Sequence, residues 1–138
     1  VSANQLIYSD VDATAFEYAD GQVPQMPAFY SLDNTIRTTS TDLDTDYQVH
    51  EGLILTSDSF MSHSDLVLDI KTRFPLALAS DMESTAIAQV AAFFHIPLLN
   101  IRGISDIAGV NAAETFDTEL NKAATNAFNE VQKVCQSL

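Results

Sequence analysis

The sequence predicts an α/β fold in which a central mixed, largely parallel sheet is flanked by helices. Two patterns indicate this fold. Short apolar runs typical of buried strands alternate with segments whose apolar residues recur at every third or fourth position, the spacing of a helix. Connections through such helices leave successive strands parallel. The chain has 138 residues, of which 46% are hydrophobic, so we expect residues 1–138 to form a single α/β domain with its own core.

Two strands and a long irregular segment are predicted in the first half of the chain. Residues 1–8 and 49–57 are apolar runs of strand length. A glycine and two prolines interrupt residues 9–28, and loops of that length usually carry a function or an interface. We expect a short helix at residues 31–40 and a polar, acidic connection at residues 41–46.

A helix and a third strand are predicted next. Ser64 is a suitable N-cap, and Asp65 lies in the first turn that follows, where a negative charge is favourable. The helix extends to Arg73, because Pro75 stops it. The apolar run at residues 76–80 is predicted to form a short strand.

Two helices around a fourth strand are predicted in the last part of the chain. A helical pattern starts at Met82 and ends before Pro97, and the apolar run at residues 98–104 follows as a buried strand. The final helix starts at about Asp117. The apolar faces consist of Met82, Ala86, Ile87, Val90, Ala91 and Phe94 in the first helix and Leu120, Ala124, Phe128, Val131 and Val134 in the last.

Two carboxylates, Glu83 and Asp106, lie just beyond the predicted strands at residues 76–80 and 98–104. Ligands of parallel α/β sheets bind in the crevice outside the carboxyl ends of the strands, so we expect both acids to form a site at one crevice. Each acid also has a simpler interpretation. An acid in the first turn of a helix favours the helix dipole, and an acid after a strand can merely turn the chain.

Arg102 lies within the last predicted strand, where a central strand would be apolar. A buried guanidinium must be paired, because an uncompensated charge costs several kcal/mol. Glu83 is a natural partner, as would be an acid from a segment outside this chain. The alternative is an arginine at an exposed sheet edge.

Acidic residues far outnumber basic ones in this chain. The 19 Asp and Glu residues against 6 Lys and Arg give a net charge of −13. Such a surface repels phosphate backbones and anionic membranes, so we expect no nucleic acid and no membrane as partner. No apolar run approaches the roughly 20 residues that a spanning helix needs.

The number and spacing of cysteine and histidine residues limit the kinds of site that the chain could contain. The single cysteine, Cys135, excludes an internal disulfide, fits a reducing cytoplasm and is expected to pack on the last helix. His50, His63 and His95 lack the spacing of metal ligands, and the sequence has no zinc, phosphate-loop or dinucleotide motif. We therefore expect no metal and no cofactor.

Four segments resemble signatures of the bacterial 5′-methylthioadenosine/S-adenosylhomocysteine nucleosidases, which belong to the nucleoside phosphorylase-like superfamily. They are GLILTSDSFM (52–61), SDMESTAIAQVA (80–91), NIRGISDIA (100–108) and DVDATAFEYADGQVP (10–24), the last similar to the family's subunit-contacting loop. The likeness covers nearly all of the chain and corresponds to roughly the later three-fifths of a family member. It implies hydrolysis of the N-glycosidic bond of 5′-methylthioadenosine and S-adenosylhomocysteine, releasing adenine and the thioribose in methionine salvage.

The resemblance implies catalytic roles for matching residues. Asp106 would be the general acid at nitrogen 7 of adenine, with Ser105 hydrogen-bonded beside it. Glu83 would bind the ribose 2′- and 3′-hydroxyls, with the backbone of Met82 alongside. Arg102 would lie near the water nucleophile.

The resemblance also implies residues that bind the base and the alkylthio group. Phe60 and Phe116 would be core residues by pattern alone, but Phe60 would stack on the purine and the backbone of Met61 would read its edge. Phe116 would line the alkylthio pocket together with Phe16 of a neighbouring subunit, so a cytoplasmic homodimer is expected. Ala108, which ends the third segment, would also contact the nucleoside substrate.

The chain departs from the family pattern in two respects. The family usually has a glycine where this chain has Ser57, which bears on the backbone geometry of that turn. The family's water-activating glutamate and the glycine-rich strand end beside the ribose have no counterpart here. We therefore expect this chain to be the later part of a longer protein, to lack its amino-terminal part and to be inactive alone.

Two other functions remain open. A phosphate-dependent nucleoside phosphorylase would hold most of its phosphate-binding residues outside this chain, although the form M-E-x-T-A-I-A favours the nucleosidases. A catalytically silent nucleoside-binding or storage relative is the second. Retention of both Glu83 and Asp106 argues against it, because binding alone needs no proton donor at the base.

Overall fold

The computed structural model describes residues 1–32, 46–108 and 112–137 and, of residues 112–118 and 137, the backbone alone. Its strands are β1 (Ser2–Tyr8), β2 (Tyr30–Ser31), β3 (Glu51–Thr56) and β4 (Ala77–Asp81). Its helices are α1 (Ser64–Arg73), α2 (Ser84–Phe93) and α3 (Ala112–Ser137), with a 3₁₀ turn at Thr14–Phe16. The strands form one sheet in the order β2-β1-β3-β4.

The sheet is mixed and mostly parallel, as predicted. β1 pairs parallel with β3 and β3 with β4, so that at the carboxyl ends Tyr8 lies beside Thr56 and Thr56 beside Asp81. β2 pairs antiparallel with β1, with Tyr30 opposite Leu6. Polar residues that follow β3 and β4 are therefore neighbours in space.

Helices cover both faces of the sheet. Alternate residues of β3 point to opposite sides, and each side packs against a different helix. Ile54 faces the side on which Ala88 of α2 packs. Leu53 and Leu55 face the other side, against Phe74 at the end of α1. The predicted class, a sheet flanked by helices, is confirmed.

The predicted strand at residues 98–104 is wrong, and so is its expected parallel direction. Within it only Ile101 forms an isolated bridge, antiparallel to Ser2, and the N–H of Arg102 donates to the carbonyl of Val1 at 2.8 Å. The rest of this side of β1 is paired with β2, so the segment finds no longer ladder there. The apolar residues of this run are half-buried or exposed, so the run predicted neither burial nor a partner strand.

Several element boundaries differ from the prediction. α2 begins at Ser84 and not at Met82, so Glu83 is its N-cap and not a residue of its first turn. Ser31 belongs to β2 and not to a helix, and residues 33–45 lie outside the described part of the chain. The N-cap of α1 is His63, whose carbonyl accepts a hydrogen bond from the first turn, and Ser64 is already helical. α3 begins at Ala112, earlier than predicted. The prediction missed this start because the small residues there give no apolar periodicity.

The apolar faces predicted for α2 and α3 are largely exposed. Of the predicted faces, Ala91 in α2 and Val134 in α3 are buried, and Ala88 and Ala123, which were not predicted, are buried beside them. Cys135 is exposed and not packed as expected. The large apolar residues left exposed are Ile87, Val90 and Phe93 in α2, Phe94 at its C-cap, and Leu120, Phe128 and Val131 in α3. Spacing predicts which residues share a face, but not whether a neighbour covers it.

Gly103 brings the segment before Asp106 against the backbone of α3. A Cβ atom at this position would overlap the carbonyl oxygen of Ala123 and lie 2.6 Å from its carbonyl carbon. We expect Gly103→Ala in the full-length protein to lower the free energy of unfolding by about 1–3 kcal/mol, because helix backbone cannot rotate away. Urea unfolding followed by circular dichroism measures this loss.

Gly52→Ala is the matched control for that substitution. Its Cβ would meet the side chain of Leu78, with Cγ at 2.8 Å, but that side chain is 52% exposed and can change rotamer. We expect a smaller loss of unfolding free energy. Equal losses for the two alanine variants would contradict the contact between Gly103 and α3.

Candidate active site

The carboxyl ends of β3 and β4 meet at Asp81, whose side chain is only 5% exposed. Its Oδ1 accepts hydrogen bonds from the Thr56 hydroxyl (2.8 Å) and from the backbone N–H groups of Glu83 (3.3 Å) and Ser84 (3.1 Å). Asp81 therefore accepts from backbone N–H groups at the start of α2, whose N-cap residue is Glu83. This role was not predicted from the sequence, although an aspartate just before a helical pattern is a recognised start signal.

Arg102 joins Asp81 to Glu83. Its Nε lies 3.1 Å from Oδ2 of Asp81, and its Nη2 lies 2.8 Å from Oε2 of Glu83. The side chains of Arg102 and Glu83 are 37% and 58% exposed, so Arg102 is neither buried in a strand nor unpaired at an edge. So exposed an ion pair adds little stability. Its consequence is geometric, because it holds a carboxylate at one place while leaving it open to a ligand.

Asp106 is half-buried and lies just after the irregular segment that contains Arg102. The hydroxyl of Ser105 donates to its Oδ1 at 2.8 Å. Residues 98–104 are not a parallel strand, so the expected position of Asp106 at the end of one is wrong. Among the described residues no hydrogen bond or ion pair joins Asp106 directly to Glu83.

The loop after β3 contains the residues expected to contact the base. β3 ends at Thr56, so Phe60 lies in the loop and not at the end of a strand, and it is 44% exposed and not core. Met61 beside it is buried. Ser57 is outside the left-handed region, and its N–H donates to the carbonyl of Asp81 at 3.0 Å. The serine therefore fits this turn without backbone strain.

The other expected site residues lie on different elements. Phe16 ends the 3₁₀ turn and is 77% exposed, and Met82 between β4 and α2 is 45% exposed. Ala108 lies in a turn and is half-buried. Phe116 belongs to α3, but its side chain lies outside the described residues. Within the part of the chain that the structure describes, Glu83 contacts Arg102 and Ser105 contacts Asp106.

The chemistry of this region is that of carboxylates and a guanidinium. Within residues 1–32, 46–108 and 112–137, no group of three or more His, Cys, Asp and Glu side chains is placed to hold a metal ion. None of the helices in that part of the chain is long and apolar enough to cross a membrane. Glu83 can accept hydrogen bonds from hydroxyl groups, and Asp106 can exchange a proton with a bound ligand.

The sequence of this chain is similar to those of known proteins. The family model described as the phosphorylase superfamily matches residues 1–136. The chain is 44% identical to the 5′-methylthioadenosine/S-adenosylhomocysteine nucleosidase of Halalkalibacterium halodurans, over 94% of this chain and 57% of that protein. It is 43% identical to the nucleosidase of Anoxybacillus flavithermus, over 100% of this chain and 61% of the relative. The chain thus spans about three-fifths of the length of these relatives.

Solved structures of such nucleosidases have the same fold as this chain. The enzyme from Neisseria meningitidis in complex with methylthio-immucillin-A gives a TM-score of 0.93 at 37% identity, over 99% of this chain and 61% of that one. The enzyme from Colwellia psychrerythraea in complex with adenine gives a TM-score of 0.91 at 34% identity, over 96% and 57%.

Proposed function

This chain belongs to the phosphorylase superfamily, and on that premise we propose that the full-length protein hydrolyses the N-glycosidic bond of 5′-methylthioadenosine and S-adenosylhomocysteine. The observation that carries the proposal is a pair of separately held carboxylates, Glu83 fixed by Arg102 and Asp106 fixed by Ser105. Two carboxylates in different surroundings can take different roles in one reaction. The similar enzymes bound to adenine and to a nucleoside analogue support the same substrate class.

The proposed mechanism follows from the charges that form when the bond breaks. Cleavage leaves an oxocarbenium-like sugar and an adenine anion, which is a poor leaving group until it is protonated. Asp106 delivers a proton to nitrogen 7 of the base, which contributes about 10²–10⁴-fold. Glu83 binds the ribose hydroxyls, and its negative charge stabilises the developing cation. Arg102 lies beside the path of the attacking water.

The remaining assignments are part of the same proposal. The accessible ring of Phe60 stacks on the purine while the backbone of Met61 reads its edge, and their shared loop after β3 supports this. Met82 contacts the ribose, and Ala108 and Phe116 contact the substrate from the segment after Asp106 and from α3.

We further propose that residues 1–138 are part of one α/β domain and that the water-activating residue lies outside this chain. The protein acts as a homodimer in which Phe16 of one subunit reaches the neighbouring site. Its 77% exposure supports such a contact, since an aromatic ring of this kind is typical of an interface. A cytoplasmic location fits a chain with a single cysteine. The products of the reaction enter methionine salvage.

Adenine release from 5′-methylthioadenosine, with and without phosphate, tests the proposal in the full-length protein. We expect release at the same rate in both conditions, because water is the nucleophile. Release that requires phosphate would show a phosphorylase. Binding of the nucleoside without release would show a catalytically silent relative, and either result would contradict hydrolysis.

A further inference from the structure

Asp81 accepts hydrogen bonds from more groups than the two N–H groups at the start of α2. Its Oδ1 receives the three donors described above, and its Oδ2 receives the Ser84 hydroxyl and Nε of Arg102. Donors surround both oxygens of a side chain that is only 5% exposed, so the carboxylate has one orientation. Asp81 is therefore a fixed point at the end of β4.

The neighbours of Asp81 are themselves held in place. The amide of Asn100 donates to Oγ of Ser84 at 2.7 Å, and Ser84 donates its only hydroxyl proton to Asp81. Oγ1 of Thr56 accepts from the N–H and the hydroxyl of Thr85, at 2.9 and 2.8 Å, and donates to Asp81. Ser84 and Thr56 thus each direct their one hydroxyl proton at the carboxylate of Asp81, and their own oxygens accept from Asn100 and Thr85.

The position of Asp81 is transmitted to Glu83 through Arg102. A guanidinium is planar, so an Nε fixed by Asp81 also restricts the direction of Nη2. Nη2 is the atom that contacts Oε2 of Glu83 at 2.8 Å. Glu83 is 58% exposed, and an exposed ion pair without a second anchor holds its side chains weakly.

We propose that Asp81 is a positioning residue of the nucleosidase reaction. It holds Arg102, and Arg102 holds the Glu83 carboxylate where the ribose hydroxyls bind. This inference rests on the proposed function and adds to it a residue that does not touch the substrate.

A purely structural role of Asp81, as the acceptor for the N–H groups of Glu83 and Ser84 at the start of α2, gives a different expectation. The amide oxygen of asparagine can accept the hydrogen bonds that Oδ1 of Asp81 now accepts. A neutral amide cannot form the ion pair with Arg102. Asp81→Asn therefore retains these hydrogen bonds and removes the anchor of Arg102.

In the full-length protein we expect Asp81→Asn to lower kcat for adenine release by about 10- to 100-fold, because a misplacement of about 1 Å costs up to this factor. In a Glu83→Gln background the same substitution should lower kcat almost no further, because Asp81 acts on the reaction only through the Glu83 carboxylate. Unchanged kcat would overturn the proposal, and so would an equal loss in both backgrounds. Asp69→Asn is the matched control, because Asp69 pairs with Arg73 at 2.9 Å away from the site; its kcat should not change.

A second measurement is independent of turnover. The ¹⁵N–¹H signal of Arg102 Nε should be protected from exchange in the wild type and in Glu83→Gln, but not in Asp81→Asn. Loss of the protected signal in Glu83→Gln would show that Glu83 is the anchor of Arg102, and would overturn the proposal even if Asp81→Asn did not fold. A wild-type protein that releases no adenine would refute the proposed function, while this signal would still test the contact between Asp81 and Arg102.

Discussion

Asp106→Asn in the full-length protein should lower kcat for the hydrolysis of 5′-methylthioadenosine by about 10²–10⁴-fold, the contribution of a positioned general acid. The amide keeps the size of the side chain and can still accept the hydrogen bond from Ser105, which is 2.8 Å long in the structure. It cannot deliver a proton to the departing base. The loss should therefore fall on kcat, with a smaller change in KM. Steady-state adenine release over a range of substrate concentrations separates the two.

Leaving-group chemistry provides the internal control for Asp106→Asn. A riboside whose leaving group departs without protonation, such as a nitrophenyl riboside, should lose much less turnover in the variant. Asp65→Asn, at an exposed position in the first turn of α1, controls for loss of a carboxylate elsewhere and should leave kcat unchanged. If Asp106→Asn kept its turnover, or if both substrates lost the same factor, Asp106 would not be the proton donor.

Glu83→Gln should reduce kcat/KM by about 10²–10³-fold, with losses in both binding and turnover. Glutamine can still accept from a ribose hydroxyl, but it has no charge to stabilise the developing cation. It also gives up the ion pair with Arg102, now 2.8 Å long. Measuring kcat and KM with the ribonucleoside shows whether both change as expected.

A substrate that lacks the 2′-hydroxyl tests the ribose contact of Glu83 directly. The penalty of Glu83→Gln should be smaller with the 2′-deoxynucleoside, because this substrate already lacks one of the hydroxyl groups that the Glu83 carboxylate binds. The matched variant is Glu119→Gln on the exposed side of α3, which should behave as the wild type. A full penalty with both nucleosides would argue against hydroxyl binding by Glu83.

The sheet and its flanking helices could be predicted because their signals are local. The apolar runs at residues 1–8, 49–57 and 76–80 are strands in the structure, to within a few residues. The run at residues 98–104 has the same composition, but strand formation also requires a free partner. The side of β1 that it approaches is occupied by β2 beyond Ala3, so only a short antiparallel contact forms. Competition between two segments for one strand edge cannot be predicted from the sequence pattern of either segment.

One contact of the candidate site could be predicted from the sequence, and another could not. Glu83 and Arg102 could be paired from the cost of an isolated charge, and the pair is present. The contacts of Asp81 could not be predicted from the cost of an isolated charge. They depend on the register of the sheet, which places the last residue of β4 beside Thr56. Only the folded sheet brings the Thr56 hydroxyl and the guanidinium of Arg102 to the same carboxylate.

The contact between Gly103 and α3 also limits how this protein can diverge. Most steric conflicts in a core can be relieved by a smaller side chain on the other partner. The partner here is the carbonyl group of Ala123, which every amino acid carries, so no substitution in α3 makes room for a larger residue at position 103. An alanine allele would require the whole helix to move relative to Arg102 and Asp106. We therefore expect selection to act on this glycine as strictly as on the residues that contact the substrate.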